Sequence, residues 1–170
     1  MLYKQAINES MKQIGLYPNS VFLGYNVKYG KAAGTLEGVS EDKLIETPVA
    51  ENLMMGMAIG MSLNGKLPVV YFERFDFVLN AVDSILNHLD KIELLSDKEF
   101  IPRVIIRCVV GNTEKPLFSG PTHTQDFSWM FLRSSFPLYL CATPDDIIDA
   151  YSLVLKTEKS AMVVEYKDLY

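Results

Sequence analysis

Five short apolar runs recur along the chain, and stretches with the periodicity of helices separate them. The runs span residues 21–24, 67–72, 103–111, 138–141 and 161–166. Their apolar residues are continuous rather than alternating, so both faces of each strand should be covered, which is typical of a parallel sheet. The sequence therefore predicts an α/β fold, a three-layer parallel sheet with helices on both faces.

Helix-start residues and apolar spacing predict the elements between these strands. Helices are expected over residues 2–15, from Thr47 to the Asn64-Gly65 stop, from about Phe77 to Leu95 with Asp76 as its cap, and after Thr143, with a short helix near residues 127–131. Three loops, at residues 25–40, 73–76 and 112–122, follow strands. Because ligands bind beyond the carboxyl ends of parallel strands, we expect a ligand site where these loops meet.

Composition narrows the class of protein and its partners. The 170 residues are 49% hydrophobic, enough for one domain spanning residues 1–170 with a full core. The net charge of -5 gives no electrostatic basis for binding nucleic acid or an anionic membrane, so a small-molecule substrate or a protein partner is favoured. Cys108 and Cys141 lie in apolar runs and are expected to be core thiols. With neither a signal core nor a membrane-spanning stretch, a cytoplasmic location is expected.

One helix contains a single ionisable residue. Thr47 and Pro48 predict its start, because a Thr hydroxyl accepts from first-turn amides and proline fits the first helical position. Nearly every later side chain is apolar, so the helix should be buried almost all round. Gly56 and Gly60 lie one turn apart and would let another backbone approach closely, which favours packing on the sheet over a recognition motif. The exception is Glu51, an acid that needs a donor or a cation in such surroundings.

Two explanations for Glu51 remain open from the pattern alone. A capping box would place its acid at Ala50, one residue earlier, although Glu51 could still interact favourably with the positive end of the helix dipole. The other explanation is a functional carboxylate held in an apolar site.

The order of motifs around Glu51 carries a resemblance. ETPVAE at residues 46–51 precedes a glycine-rich apolar helix, NGKLPVV at residues 64–70 and an aromatic run. This order resembles the pyrimidine-binding domain of thiamine-diphosphate enzymes, and it is most similar to the β subunit of the decarboxylase component of 2-oxoacid dehydrogenases and more distantly similar to transketolase. The likeness extends to residues 165–170 and implies the thiamine-diphosphate-binding fold.

The resemblance implies a catalytic role for Glu51. In the family the aminopyrimidine of thiamine diphosphate removes a proton from the neighbouring thiazolium carbon, and a glutamate bonded to the opposite ring nitrogen favours the required tautomer. Burial strengthens such a bond by lowering the dielectric. Glu51 matches that glutamate in position and context, so the resemblance makes it both catalytic and cofactor-binding.

The resemblance also implies roles for two aromatic residues and one histidine. Phe75 and Phe77 match the family's rings that pack on the aminopyrimidine, although two phenylalanines beside a strand end are also common core residues. His123 aligns with a family histidine near the reactive carbon, which suits proton transfer or hydrogen bonding to a carboxylate substrate, while the alternative is a structural loop histidine. His88, in the middle of a predicted helix beside Asp90, is expected to be a surface or packing residue.

Departures from the family define the expected assembly. Gly24-Tyr25-Asn26 replaces the usual Gly-Glu-Asp, and the loop at residues 111–119 is bulkier and charged, so substrate choice is expected to differ. The Gly-Asp-Gly and Asn signature for magnesium and diphosphate is missing, so no metal ligands are expected here. The resemblance then implies thiamine diphosphate with Mg shared with an α-like, diphosphate-binding partner subunit.

Two functions from different classes follow from these departures. One is the pyrimidine-binding subunit of a split enzyme that acts on a 2-oxoacid or ketose and self-associates as a dimer or within a heterotetramer. The alternative is a non-catalytic interaction or regulatory subunit derived from the same domain. A free-standing small-molecule binding domain is disfavoured, because one wall alone would hold the cofactor.

Overall fold

The computed structural model describes residues 1–114 and 118–170, which form a six-stranded sheet. The strands are β1 (Ser20–Gly24), β2 (Leu44–Glu46), β3 (Leu67–Phe72), β4 (Ile105–Val110), β5 (Leu138–Cys141) and β6 (Ala161–Tyr166). Every paired strand runs parallel to its neighbour, in the order β2-β1-β3-β4-β6-β5. The central strands β3 and β4 are buried at every residue, as expected for a sheet covered on both faces.

Helices cover both faces of the sheet and complete the three layers. Helices α1 (Tyr3–Gly15) and α6 (Pro144–Thr157) pack together over one apolar cluster, and α3 (Glu51–Leu63) packs with the chain after β3 over a second cluster. The four-residue α2 (Lys31–Gly34) lies between β1 and β2. The three-layer parallel α/β prediction is therefore confirmed. In the part of the chain that the structure describes, every helix is too short or too polar to cross a membrane.

The start of α6 shows local sequence determining structure as predicted. The Thr143 hydroxyl accepts from the Asp146 amide at 3.1 Å, and the Asp146 carboxylate accepts from the Thr143 amide at 2.8 Å. Pro144 occupies the first turn, where its missing amide hydrogen has no helical partner to lose. The inward residues Ile147 and Tyr151 are buried, which anchors the helix on the sheet.

Two helix starts differ from the prediction. Helix α3 begins at Glu51, with Ala50 as its N-cap, four residues after Thr47. The buried Thr47 hydroxyl has no partner among the described residues. Residues 47–50 are not helical because the Thr47 amide instead donates to the Gly24 carbonyl at 3.1 Å, which continues the strand pairing of β2. Asp76 is also not a cap, because it lies inside the four-residue helix α4 (Phe75–Val78).

The predicted helix over residues 77–95 is broken. After α4, a 3₁₀ turn at Leu79–Ala81 and a π-helical segment at Ser84–Leu89 precede α5 (Ile92–Leu95). The irregular segments still bury the apolar residues that the predicted helix would bury, since Ile85 and Leu89 lie in the core.

One face of α3 is open, which contradicts burial all round. Gly56 and Gly60 are exposed, and a Cβ added to either would meet no heavy atom within 4 Å outside its own helix in the described chain. Leu53 on this helix is 51% exposed. The predicted packing of the two glycines on the sheet is therefore wrong, and Met54, Met55 and Ala58 make the contact with the core instead.

Candidate functional site

The candidate site is a cavity of about 270 Å³ at the carboxyl ends of β1 and β3. The chain leaves β1 towards β2 on one side and leaves β3 towards β4 on the other, so these adjacent strands form a switch point where a crevice opens. The lining residues are Tyr25, Val49, Glu51, Met54, Tyr71, Phe72, Glu73, Arg74, Phe77 and His123. Loops after β1, β3 and β4 all contribute, as the strand pattern predicts.

Glu51 presents a buried carboxylate to this cavity. It is the first residue of α3 and only 8% exposed. Its Oε2 accepts one long hydrogen bond, from Asn80 Nδ2 at 3.4 Å, and the described residues provide no other hydrogen bond to this carboxylate. An ionised carboxylate has about four lone-pair sites. Glu51 therefore retains capacity to accept a hydrogen bond from a donor that enters the cavity.

The loop after β1 is held over the cavity by Glu46. The Glu46 carboxylate accepts from the Asn26 amide at 2.6 Å and from the Lys28 amide at 2.7 Å. Gly24 permits the turn, because its φ is +152° and a Cβ there would lie 2.6 Å from the Tyr71 carbonyl oxygen. This bracing fixes half-exposed Tyr25 at the cavity rim, a role for Glu46 that sequence patterns did not indicate.

His123 and Phe77 meet in the cavity although distant in sequence. Their rings lie edge to face with centroids 5.3 Å apart. Gly111, just after β4, allows this approach, since a Cβ at Gly111 would lie 1.9 Å from the His123 carbonyl oxygen. His123 Nδ1 lies 3.0 Å from the Thr122 hydroxyl, which orients the imidazole. Residues 115–117 of the predicted loop lie outside the described residues.

Phe75 lies beneath the cavity rather than among its lining residues. Its side chain is fully buried in the apolar cluster under α3, stacked on Phe131 at 6.2 Å and edge to face with Phe127 at 6.5 Å. Phe77, two residues on, projects to the cavity instead. Because α4 begins at Phe75, residues 75 and 77 lie on different sides of a helical turn, whereas in a strand they would share one face.

Arg74 places a cation in the cavity that was not predicted. Its Nη1 donates to the Glu73 carbonyl oxygen at 2.6 Å, and its buried Nε has no hydrogen-bond partner among the described residues. The Glu73 carboxylate is directed elsewhere, 3.5 Å from Asn26 Nδ2. A charged Glu-Arg pair directly after a wholly apolar strand was the sequence signal for this feature.

Positive charge extends from Arg74 towards the chain end. Burial, followed by the charges of Arg74, Lys4 and Arg107, lowers the pKa of Lys167 to about 8, while Glu73 acts in the opposite direction. The ammonium also lies 4.1 Å from the centre of the Tyr170 ring. Arg74 and Lys167 are therefore two positive charges close enough to interact.

This lowered pKa predicts a pH-dependent stability that depends on Lys167. An unfolded lysine titrates near 10.5, so between about pH 8 and that value the unfolded chain binds more protons than the folded chain. The free energy of unfolding of the wild type should therefore increase as pH rises through this window. In urea unfolding, the wild-type value minus the Lys167→Met value should increase with pH. The same difference for the exposed Lys66→Met variant should not.

Metal-binding side chains are not clustered in the described part of the chain. Within residues 1–114 and 118–170, no group of three or more His, Cys, Asp and Glu side chains is arranged to hold a metal ion. Both cysteines are buried and unpaired by disulfide, and burial raises the pKa of the Cys141 thiol to about 12. Exposed His88 lies 3.4 Å from Asp83 and takes no part in the cavity.

The sheet order and the cavity at its switch point define an α/β domain with a crevice at the carboxyl edge of its sheet, the position where such folds bind ligands. The particular family follows from comparison. The chain belongs to the family of the transketolase pyrimidine-binding domain, whose model matches residues 1–170.

Curated relatives include β subunits of 2-oxoacid dehydrogenases. The chain is 29% identical over 134 residues to the mitochondrial pyruvate dehydrogenase E1 component subunit beta of Saccharomyces cerevisiae, covering 75% of this chain and 36% of that protein. It is 25% identical over 177 residues to the 2-oxoisovalerate dehydrogenase subunit beta of Bacillus subtilis, covering 100% of this chain and 53% of that protein. The chain thus spans about a third to a half of these relatives' length.

A solved structure supports the fold assignment. A split-gene transketolase, described as an inactive β4 tetramer, matches 98% of this chain and 52% of that chain with a TM-score of 0.66. The sequence identity is 16%, so this likeness concerns the fold alone.

Proposed function

We propose that this chain is the pyrimidine-binding subunit of a split, heteromeric thiamine-diphosphate enzyme that acts on a 2-oxoacid or ketose. The observation that carries the proposal is the Glu51 carboxylate, buried at the switch-point cavity with one long hydrogen bond. A buried acceptor with spare capacity requires a donor, and a protonated ring nitrogen provides one.

The cavity fits the pyrimidine end of the cofactor. Its volume of about 270 Å³ exceeds that of a single substituted six-membered ring, and its walls combine apolar Val49 and Met54 with the Phe77 ring. Flat heterocycles pack well on such side chains. Glu51 would hold the ring nitrogen, and Phe77 would form the ring wall. Phe75 would support that wall from the core.

The residues of this chain then have separate tasks. When bound, the cofactor supplies a nucleophilic carbon that forms and breaks bonds next to a carbonyl group. Glu51 holds a proton at the pyrimidine nitrogen, and low dielectric in the cavity strengthens that hydrogen bond. His123 lines the same cavity, in contact with Phe77 and Thr122, where it can donate to or accept from the substrate. Val49 and Met54 would contribute apolar contacts to the bound ring.

The proposed assembly assigns the charged end of the cofactor to a partner. The relatives are named as subunits, and the described residues lack an acidic cluster for magnesium. We therefore propose that an α-like subunit holds the diphosphate and Mg, and that this chain also self-associates as a dimer or within a heterotetramer. The open face of α3, with exposed Leu53, is available for such contacts.

The test is native mass spectrometry of the protein isolated from its source with magnesium and thiamine diphosphate retained. A second chain and the cofactor mass in one assembly are expected. A lone chain or self-dimer that takes up no cofactor after its addition would overturn the proposal. That result would favour the non-catalytic interaction subunit instead.

A further inference from the structure

Arg74 is an unneutralised cation in the site. Its guanidinium lines the cavity, Nη1 reaches only the carbonyl oxygen of the preceding residue, and Nε is buried without a partner among the described residues. No carboxylate of the described chain lies within 4.0 Å of it. A partly buried charge without a counterion is unfavourable, so an anion that enters the cavity would be bound there.

Lys167 adds a second positive charge near Arg74. The two lie close enough for the charge of Arg74 to lower the pKa of Lys167. Glu73 opposes this effect, and its carboxylate is directed towards the loop after β1. Glu51 also lines the cavity, so the attraction for an anion is local to the Arg74 guanidinium rather than a property of the whole cavity.

Arg74 and His123 both line the cavity. The Arg74 side chain and the His123 backbone also border Gly111, since a Cβ there would lie 2.9 Å from Arg74 Cδ, 3.0 Å from Arg74 Nε and 1.9 Å from the backbone carbonyl oxygen of His123. In a 2-oxoacid the carboxylate is one bond from the reacting carbonyl, so adjacent residues can bind the two groups. In a phosphorylated ketose the anion lies several bonds from the carbonyl. A planar guanidinium also matches a carboxylate in a two-point hydrogen bond.

We propose that Arg74 determines substrate specificity by pairing with the substrate carboxylate, so that the enzyme acts on a 2-oxoacid and not on a neutral or phosphorylated ketose. The inference rests on the proposed function and names the substrate class of the same site. Arg74 binds the carboxylate, and His123 faces the adjacent carbonyl.

The test compares Arg74 variants in the complex isolated with its partner and cofactor. Arg74→Gln should lower kcat/KM for pyruvate or a branched 2-oxoacid by about 10- to 100-fold, mostly through KM, because a charge-assisted hydrogen bond is lost. Arg74→Lys should recover part of this loss. Exposed Arg133→Gln is the matched control and should leave kcat/KM unchanged. Cofactor affinity should be equal in all four proteins.

Three results would overturn the assignment. The first is unchanged kcat/KM for 2-oxoacids in Arg74→Gln. The second is wild-type preference for dihydroxyacetone, a neutral ketose. The third is stronger competitive inhibition by inorganic phosphate than by propionate, which would indicate a phosphorylated substrate. Any of these with normal cofactor binding would leave the proposed function intact, whereas a complex that retains no cofactor would overturn both.

Discussion

Replacing Glu51 with Gln is expected to lower turnover of the assembled enzyme by about 10²- to 10⁴-fold, the range typical of a lost acid or base. The amide is nearly the same size and keeps the contact with Asn80, but it has no negative charge to favour a proton on the pyrimidine nitrogen. Stability should be unchanged or slightly higher, because a buried charge is removed. Steady-state kinetics and urea unfolding on the same preparation measure both effects.

The control for this variant is Glu93→Gln, which removes an exposed carboxylate from α5 and should leave turnover unchanged. Comparison of the two separates loss of charge at the cavity from loss of charge in general. Full turnover in Glu51→Gln within a complex that contains thiamine diphosphate would exclude Glu51 as the cofactor-activating residue.

Replacing Arg107 with Met is expected to lower the free energy of unfolding by about 3–5 kcal/mol, the typical cost of leaving one partner of a buried ion pair alone. Arg107 and Glu165 are both 0% exposed and joined by two hydrogen bonds of 2.8 Å between β4 and β6. Tyr151 and Tyr170 also donate to the Glu165 carboxylate, at 2.8 and 2.6 Å. Burial lowers the pKa of Arg107, but Glu165 outweighs it and raises that pKa.

The double variant Arg107→Met/Glu165→Gln distinguishes the loss of the ion pair from the cost of leaving the Glu165 carboxylate buried without a cation. It should recover a large part of the stability, because no uncompensated carboxylate then remains in the core. The control is Lys12→Met, which breaks an exposed 2.9 Å pair with Glu9 and should change stability by no more than about 1 kcal/mol. A loss of similar size in Arg107→Met and Lys12→Met would contradict this account of the buried pair.

The sheet was predictable because its signal is dense. Five strands follow runs that are apolar at nearly every residue. The start of α6 was predictable because its cap residues, Thr143 and Asp146, interact within one turn of the chain. The sixth strand, β2, was missed since Leu44–Glu46 gives three residues, fewer than a periodic pattern needs. It pairs with β1 through tertiary contact, which also draws Thr47 out of the helix. Non-local pairing thus overrode the local helix-start signal.

The cavity was predictable in position but only partly in composition. Loop order after the strands brings Tyr25, Glu73 and His123 to one edge, and Glu51 was identified because an acid contrasts with its apolar helix. The direction of the Arg74 side chain depends on the backbone conformation of the short link between β3 and α4. A hydrophobic periodicity cannot predict that direction. Phe75 and Phe77 look equivalent in sequence, yet the start of α4 directs them to core and cavity respectively.

The sequence contains an indication of the buried ion pair, which is easily overlooked because it lies within apolar runs. Arg107 and Glu165 each interrupt an otherwise apolar strand, and a charge in such a position needs a partner. The pairing itself requires the strand order, because β4 and β6 are neighbours in the sheet but 58 residues apart at this contact.

The most direct test of the central claim is an experimental structure of the chain in complex with its diphosphate-holding partner, magnesium and thiamine diphosphate. The account predicts the pyrimidine ring in the switch-point cavity, with a Glu51 carboxylate oxygen about 3 Å from a ring nitrogen and the ring against Phe77. A complex with the cofactor bound elsewhere, or with Glu51 directed away from it, would contradict the account.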